Sequence, residues 1–284
     1  MCKEFLGARV RNNITMNIVI DNELVNILDN KYIGGKARGI LMLAQHGYTI
    51  PPTRILTING YDEFLASNGQ CSDSELEKLT DAMYNDLMYL GDSVAILRSS
   101  AENEDGVTAS FSGMLKSTIV KSEEAHLRDL LKHIIRDMLV APLDSHYQDY
   151  KKAKEMTSYP QHFTFVIQPY LTSELSGVLF TADPVSGNDK VVVIEVVSGG
   201  NEALTSGTAI PTLINIDIIS QSVIKFESGD DGLWPDDNLL TLMLQLSLRG
   251  KTIELLMNHP QDIEWLHKDG TVSYTHLTLP TNRE

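Results

Sequence analysis

Between residues 163 and 226 the chain is a series of short β-branched or aromatic runs, broken by Pro, Gly, Asn and Asp, and this texture restricts the fold most. Residues 163–168, 177–181, 191–197, 213–218 and 223–226 each have strand length and strand composition. Several of their connections are too short for a helical crossover, so these strands are expected to be antiparallel neighbours. Helical periodicity lies on either side of them. Ala37, Ile40, Leu41 and Ala44 follow i, i+3, i+4, i+7 spacing, and Gly47 and Pro51-Pro52 end that helix. Ser74 and Glu77 match a capping box, followed by a stripe of Leu76, Leu79, Met83, Leu87 and Leu90 that stops at Gly91. Ser122 is read as the cap of a third helix, with Glu123 and Glu124 at its positive end. A long helix over 238–258 precedes a strand pair, 261–266 and 271–274, turned by Asp269-Gly270. The sum is an α+β chain, with the polar stretch 142–160 as the expected junction between subdomains.

Composition narrows the function. The 284 residues carry 23 Lys+Arg against 38 Asp+Glu, a net charge of −15, which excludes a general nucleic-acid binder. A local pair of cations with a metal can still hold a polyphosphate on an acidic protein. Two distant cysteines, Cys2 and Cys71, make neither a disulfide framework nor a zinc site. No signal-peptide pattern and no apolar run of about 20 residues occurs. A cytoplasmic protein without membrane partners is expected.

Three segments could carry chemistry. Gly34-Gly35-Lys36 precedes a helix, so its backbone amides and lysine could cradle phosphate; the alternative is a plain turn with Lys36 in solvent. Arg98 leaves the expected buried strand 94–97 and enters a polar loop. Its planar fork suits phosphate, or it pairs with Glu102, Glu104 or Asp105. Asp262 and Glu264, two apart on a strand, point to one face and suit Mg²⁺ shared with nucleotide phosphates; alternatively Asp262 only turns the chain after Pro260. Glu195, inside the apolar run VVVIEVV, is either a site residue or a salt-bridged structural one.

Four ordered segments go further than these patterns. They are GGKARGILMLAQHGYTIPPTRILTINGYDEFL, VAILRSSAENEDGVTASFSGMLKSTIV, FVIQPYLTSELSGVLFTADPVSGN and QDIEWLHKDG. Together they resemble the nucleotide-binding domain shared by phosphoenolpyruvate synthase, pyruvate phosphate dikinase and the rifamycin phosphotransferases. The resemblance implies an ATP-grasp-like fold of two α+β subdomains closing over ATP. It implies a kinase-type phosphotransferase that moves the β-phosphoryl of ATP to a histidine on a separate domain, then to pyruvate in the synthases. It assigns Lys36 and Arg98 to the phosphates, the loop with Ser110, Ser112 and Gly113 to a phosphate lid, and Gln168, Tyr170 and Leu171 to the hinge beside adenine. Asp262 and Glu264 become the Mg²⁺ ligands, with Glu264 also facing the nucleotide.

The family continues past the acidic pair to a Leu-Gln-x-Arg-Pro segment, whose Gln and Arg are missing here. THLTLPTNRE stands in that place and resembles adapter read-through, so residues 275–284 are expected to be foreign and 1–274 the domain. No phosphohistidine motif or pyruvate-binding barrel is recognisable. The expectation is an ATP-binding domain of a phosphoenolpyruvate synthase, inactive alone and working with acceptor domains elsewhere. A rifamycin-type phosphotransferase domain and a non-catalytic nucleotide-binding module are the alternatives.

Overall fold

Two antiparallel sheets organise the protein, in a computed structural model that describes residues 15–16, 33–101, 117–153, 158–200, 209–230 and 232–278. The first sheet has five strands in the order β1 (Thr15–Met16), β2 (Arg54–Asn59), β5 (His162–Pro169), β3 (Val94–Ala101) and β4 (Ser117–Lys121). The second has six: β11 (Thr271–Thr278), β10 (Asp262–Lys268), β6 (Leu175–Phe180), β7 (Val191–Ser198), β8 (Thr212–Asp217) and β9 (Ser222–Glu227). Strand β5 therefore joins the first sheet, and the chain crosses to the second at residues 170–174. The stretch 142–160 precedes that crossing and contains helix α5 (Ser145–Ala153).

One face of the first sheet is covered by helices α3 (Asp73–Leu90) and α4 (Leu127–Val140). Leu76, Leu79, Met83 and Leu87 of α3 meet Leu131, Ile135 and Met138 of α4 over Leu56, Leu97, Phe163 and Phe165. Exposed ion pairs, Arg128 with Asp81 and Lys132 with Glu77, link the two helices. The α3 capping box forms two residues earlier than expected: Ser72 Oγ accepts from Glu75 N at 3.2 Å, and Glu75 Oε2 accepts from Ser72 N at 2.8 Å. Gly91 ends α3 in the left-handed region, φ +71°. Helix α4 starts after His126, not at Ser122, whose hydroxyl donates to Ser93 O at 3.3 Å in the turn after β4. The one-and-a-half-turn helix α2 (Tyr61–Ala66) was too short to leave a periodic signal.

In the second sheet the long helix α6 (Asp237–Met257) covers one face. Leu239, Met243, Leu246 and Ile253 pack on Leu179, Val192, Ile194, Ile214, Ile263 and Trp265. Close approach requires Gly250, since a Cβ there would stand 2.6 Å from Leu179 Cδ2. Strand β11 extends through Thr278, with Tyr274, Thr275, His276 and Leu277 buried. Residues 275–278, set aside from sequence as a foreign tail, lie within this strand: 276–278 pair with β10, Thr275 is unpaired, and Leu277 fills core space. Residues 279–284 lie outside the described residues.

Helix α1 (Gly35–Gln45) connects the two halves. Ala37, Ile40 and Leu41 pack on Ile55 and Val166 of the first sheet. Leu43 joins the second core with Tyr274 and Leu277.

Candidate nucleotide site

Strand parity decides which side chains face the cleft. On β3, Ala95, Leu97 and Ala101 enter the core under α3 and α4, so Ile96, Arg98 and Ser100 face the other way. Strand β5 divides likewise: Phe163, Phe165 and Ile167 point to that core, while Thr164, Val166 and Gln168 share the face of Arg98. The glycine turn before α1 docks on this second face. Gly34 N donates to Thr164 Oγ1 at 3.1 Å, and Ala37 N donates to Ser100 Oγ at 3.3 Å. Position 34 must be glycine, because a Cβ would lie 2.2 Å from the Ser100 carbonyl oxygen. Ser100 and Thr164 thereby aim the positive end of α1 and fix Lys36, which is buried rather than solvated. Neither supporting residue was picked out from sequence, although alternation from Arg98 places Ser100 beside it.

In the second sheet the face away from α6 carries the acids. Glu264 of β10 pairs with Val178, Val178 with Glu195 of β7, and Glu195 with Leu213, so all four share one face. Asp262 lies on the same face in register with Phe180. Phe180, Val191 and Val193 form a small apolar cluster there with Val178 and Leu213. The two sheets meet where Arg98 Nη1 lies 3.8 Å from Glu264 Oε2. The pairings of Arg98 with Glu102, Glu104 or Asp105 fall on residues outside those described, as do Ser110, Ser112 and Gly113.

His276 completes the cluster. It sits on β11 opposite Glu264, just past the extra residue, Thr275, of a β-bulge. Burial and the charges of Lys36 and Arg98 hold its pKa well below the usual histidine value, so its imidazole is neutral. Sequence reasoning missed it, because the residue fell in the segment excluded as tail.

At the crossing between sheets, Tyr170 N donates to Val94 O at 2.9 Å. Gln168 is buried, and its side chain is committed to Thr53, Nε2 donating to Oγ1 at 3.0 Å. Leu171 is half-buried at the start of the crossing. The turn at Gly199 closes over this segment: its N donates to Glu174 O at 2.8 Å, and the hydroxyls of Ser173 and Ser176 both donate to its carbonyl.

Asp262 and Glu264 offer hard oxygen donors on one face, a set that fits Mg²⁺ when nucleotide phosphates supply further ligands. Among the described residues no three His, Cys, Asp or Glu side chains group closely enough to hold a metal by themselves.

Residues 70–233, more than half of the chain, match the pyruvate phosphate dikinase AMP/ATP-binding domain. The chain therefore belongs to that family of nucleotide-binding domains. It is 25% identical over 266 residues to the uncharacterized phosphotransferase YvkC of Bacillus subtilis strain 168, covering 82% of this chain and 31% of that protein. A rifampicin phosphotransferase of Bacillus cereus is 26% identical over 310 residues, covering 90% and 35%. A probable phosphoenolpyruvate synthase of Methanothermobacter thermautotrophicus is 24% identical over 294 residues, covering 84% and 42%. This chain thus spans about a third of the length of its first curated relatives (31% and 35%). Among solved structures, a D-alanine-D-alanine ligase from Coxiella burnetii aligns with a TM-score of 0.37 and 8% identity, covering 87% of this chain and 48% of the ligase. Among the described residues, no helix is long and apolar enough to cross a membrane.

Proposed function

We propose that the chain is the ATP-binding domain of a phosphoenolpyruvate synthase-type phosphotransferase, ATP-grasp-like in plan and cytoplasmic. It would pass the β-phosphoryl of ATP to a histidine on another domain of a longer enzyme, and from there to pyruvate. The observation that carries this reading is the contact of Arg98 of β3 with Glu264 of β10 at the junction of the two sheets, on the sheet face where the start of α1, with Lys36, docks.

Phosphoryl transfer leaves little covalent work to a protein, so positioning and charge neutralisation carry the catalysis. Lys36, anchored at the start of α1, places a cation where the helix dipole already favours an anion. Arg98 projects from β3, which is paired with β4 and β5 on its two edges, so its guanidinium is aimed by the sheet rather than by a loop. On binding phosphate it would exchange its long contact with Glu264 for a charge-assisted bond, freeing that carboxylate for a cation. Mg²⁺ held by Asp262 and Glu264 would supply further positive charge to the β- and γ-phosphates. Tyr170 and Leu171 would lie beside the adenine, and the segment with Ser110, Ser112 and Gly113 would cover the phosphates. Residues 1–274 are read as the domain and 275–284 as a foreign tail, of which 275–278 continue strand β11.

A rifamycin-type acceptor is the second reading, favoured by rifampicin phosphotransferase relatives at 25% and 26% identity beside a synthase at 24%. A binding module without catalysis is the third. It draws on the absence of the family's Gln and Arg after the acidic pair, where Leu277 instead packs on α1, its Cβ 3.1 Å from where a Cβ on Gly39 would stand. Thermal shift with MgATP tests the site: Lys36→Ala and Arg98→Ala should each abolish the shift, and an unchanged shift in both defeats the assignment. Transfer of label from [β-³²P]ATP to a phosphohistidine domain added in trans separates catalysis from binding alone.

A further inference from the structure

Glu264 and Asp262 are held on the cleft face by different means. Glu264 lies inside β10, with paired residues before and after it on both neighbouring strands. Asp262 is the first residue of β10 and stands opposite Phe180 and Thr278, the last residues of β6 and β11. Three strand ends therefore coincide at this carboxylate, and strand ends fray unless other bonds fix them. The fixing groups lie on the opposite face. Thr181, the residue after β6, is fully buried and turned toward α6, its Cγ2 3.5 Å from where a Cβ on Gly250 would stand. It bonds Gln261, the residue before Asp262, twice: Thr181 N donates to Gln261 O at 2.9 Å, and Gln261 N donates to Thr181 Oγ1 at 2.8 Å.

Lys251 of α6 braces Thr181 in turn. Its Nζ donates to Thr181 O at 3.1 Å and to Asp189 O at 3.0 Å, near the two ends of the β6–β7 connection, and also to the Glu254 carboxylate. An ammonium has three donors and no acceptor, so this set uses it completely. We propose that Thr181, braced by Lys251, is a positioning residue that fixes Asp262 toward the Mg²⁺ of a bound nucleotide. The proposal rests on the nucleotide reading above and goes beyond it. Thr181 faces α6, touches neither metal nor phosphate, and acts through the backbone of Gln261. Glu264, held by the ladder on both sides, does not depend on it.

Calorimetric titration of the full 284-residue chain with ATP over a series of Mg²⁺ concentrations tests this, with adenosine as a second probe. Thr181→Val keeps the shape and removes the acceptor, whereas Thr181→Ser keeps the acceptor. Thr181→Val should raise the Mg²⁺ concentration for half-maximal ATP binding about tenfold, the size expected when a metal ligand loses its support, and leave adenosine affinity unchanged. Thr181→Ser should match wild type. On an Asp262→Asn background Thr181→Val should add nothing, because the carboxylate it positions is gone. Should Thr181→Val fail to fold, as judged by its unliganded melting curve, Lys251→Met takes its place and should raise the Mg²⁺ requirement likewise. An unchanged Mg²⁺ requirement, the same loss with and without the Asp262 carboxylate, or an equal loss for adenosine overturns the role of Thr181. A wild-type chain whose ATP binding does not depend on Mg²⁺ overturns the metal reading, and the role of Thr181 with it.

Discussion

Strand β5 at the centre of the first sheet is buried on both faces, whereas the second sheet packs one face under α6 and carries acids beside a small apolar cluster on the other. Strand β5 is buried from Phe163 through Pro169. Residues of one parity lie under α3 and α4, and those of the other lie under α1 and its glycine turn. Strands β8 and β10 instead alternate buried with half-buried positions, which leaves Asp262, Glu264 and Glu195 on the face away from α6. The difference divides the work. In the proposed site the first sheet would hold two cations at fixed height, and the second would present carboxylates that exchange partners when phosphate binds.

The division can be broken most severely at Asp86. Arg54 reaches from β2 into the α3 side, where its Nε donates to Asp86 Oδ1 at 3.1 Å, both side chains being buried. Arg54→Met leaves the buried Asp86 carboxylate without its counter-charge, so urea unfolding should show a loss of about 3–5 kcal/mol. A change below 1 kcal/mol would mean that the platform does not depend on this pair. Second in size is Gly250→Ala, which drives a methyl into Leu179 and should cost about 1–3 kcal/mol by the same measurement. Ser72→Ala removes the α3 capping box and should cost about 1 kcal/mol. Glu264→Gln should move the unfolding free energy least, by less than about 1 kcal/mol, yet abolish the Mg²⁺ dependence of ATP binding. A large loss of stability with binding intact would reverse the proposed roles of the two sheets.

Acidity sharpens the same contrast. Burial raises the Asp86 pKa despite the opposing charge of Arg54. Between its ordinary value, about 3.9, and the raised folded value, the native state binds more protons than the unfolded chain. Stability from this group is therefore greatest below that window and falls as pH rises through it. Chemical denaturation from pH 3.5 upward should show this falling contribution in wild type and not in Asp86→Asn.

Much of this architecture was legible where periodicity ran long enough. The stripes of α3 and α6 and the alternation of β8 are visible in the residues because one face of each meets a continuous core. Caps were less legible: Ser72 and Ser74 have the same chemistry, and only the backbone geometry decides which accepts from the third residue on. Lys36 and Arg98 were readable as phosphate-type residues, but their convergence with Glu264 depends on a chain crossing at 170–174 that no local pattern specifies. His276 was illegible, because its surroundings come from α1 and β3, more than 170 residues earlier.

Strand β10 can also be considered as a sequence to be edited. Its function and its packing are written on alternate residues, so the loss or gain of one residue between Asp262 and Leu266 would send Glu264 toward α6 and Ile263 or Trp265 into the cleft. A change of two would keep the phase. Its neighbour β11 already carries one odd residue, Thr275, confined to a bulge, so the extra residue on this edge of the sheet sits in β11 while β10 keeps its alternation from Asp262 to Leu266.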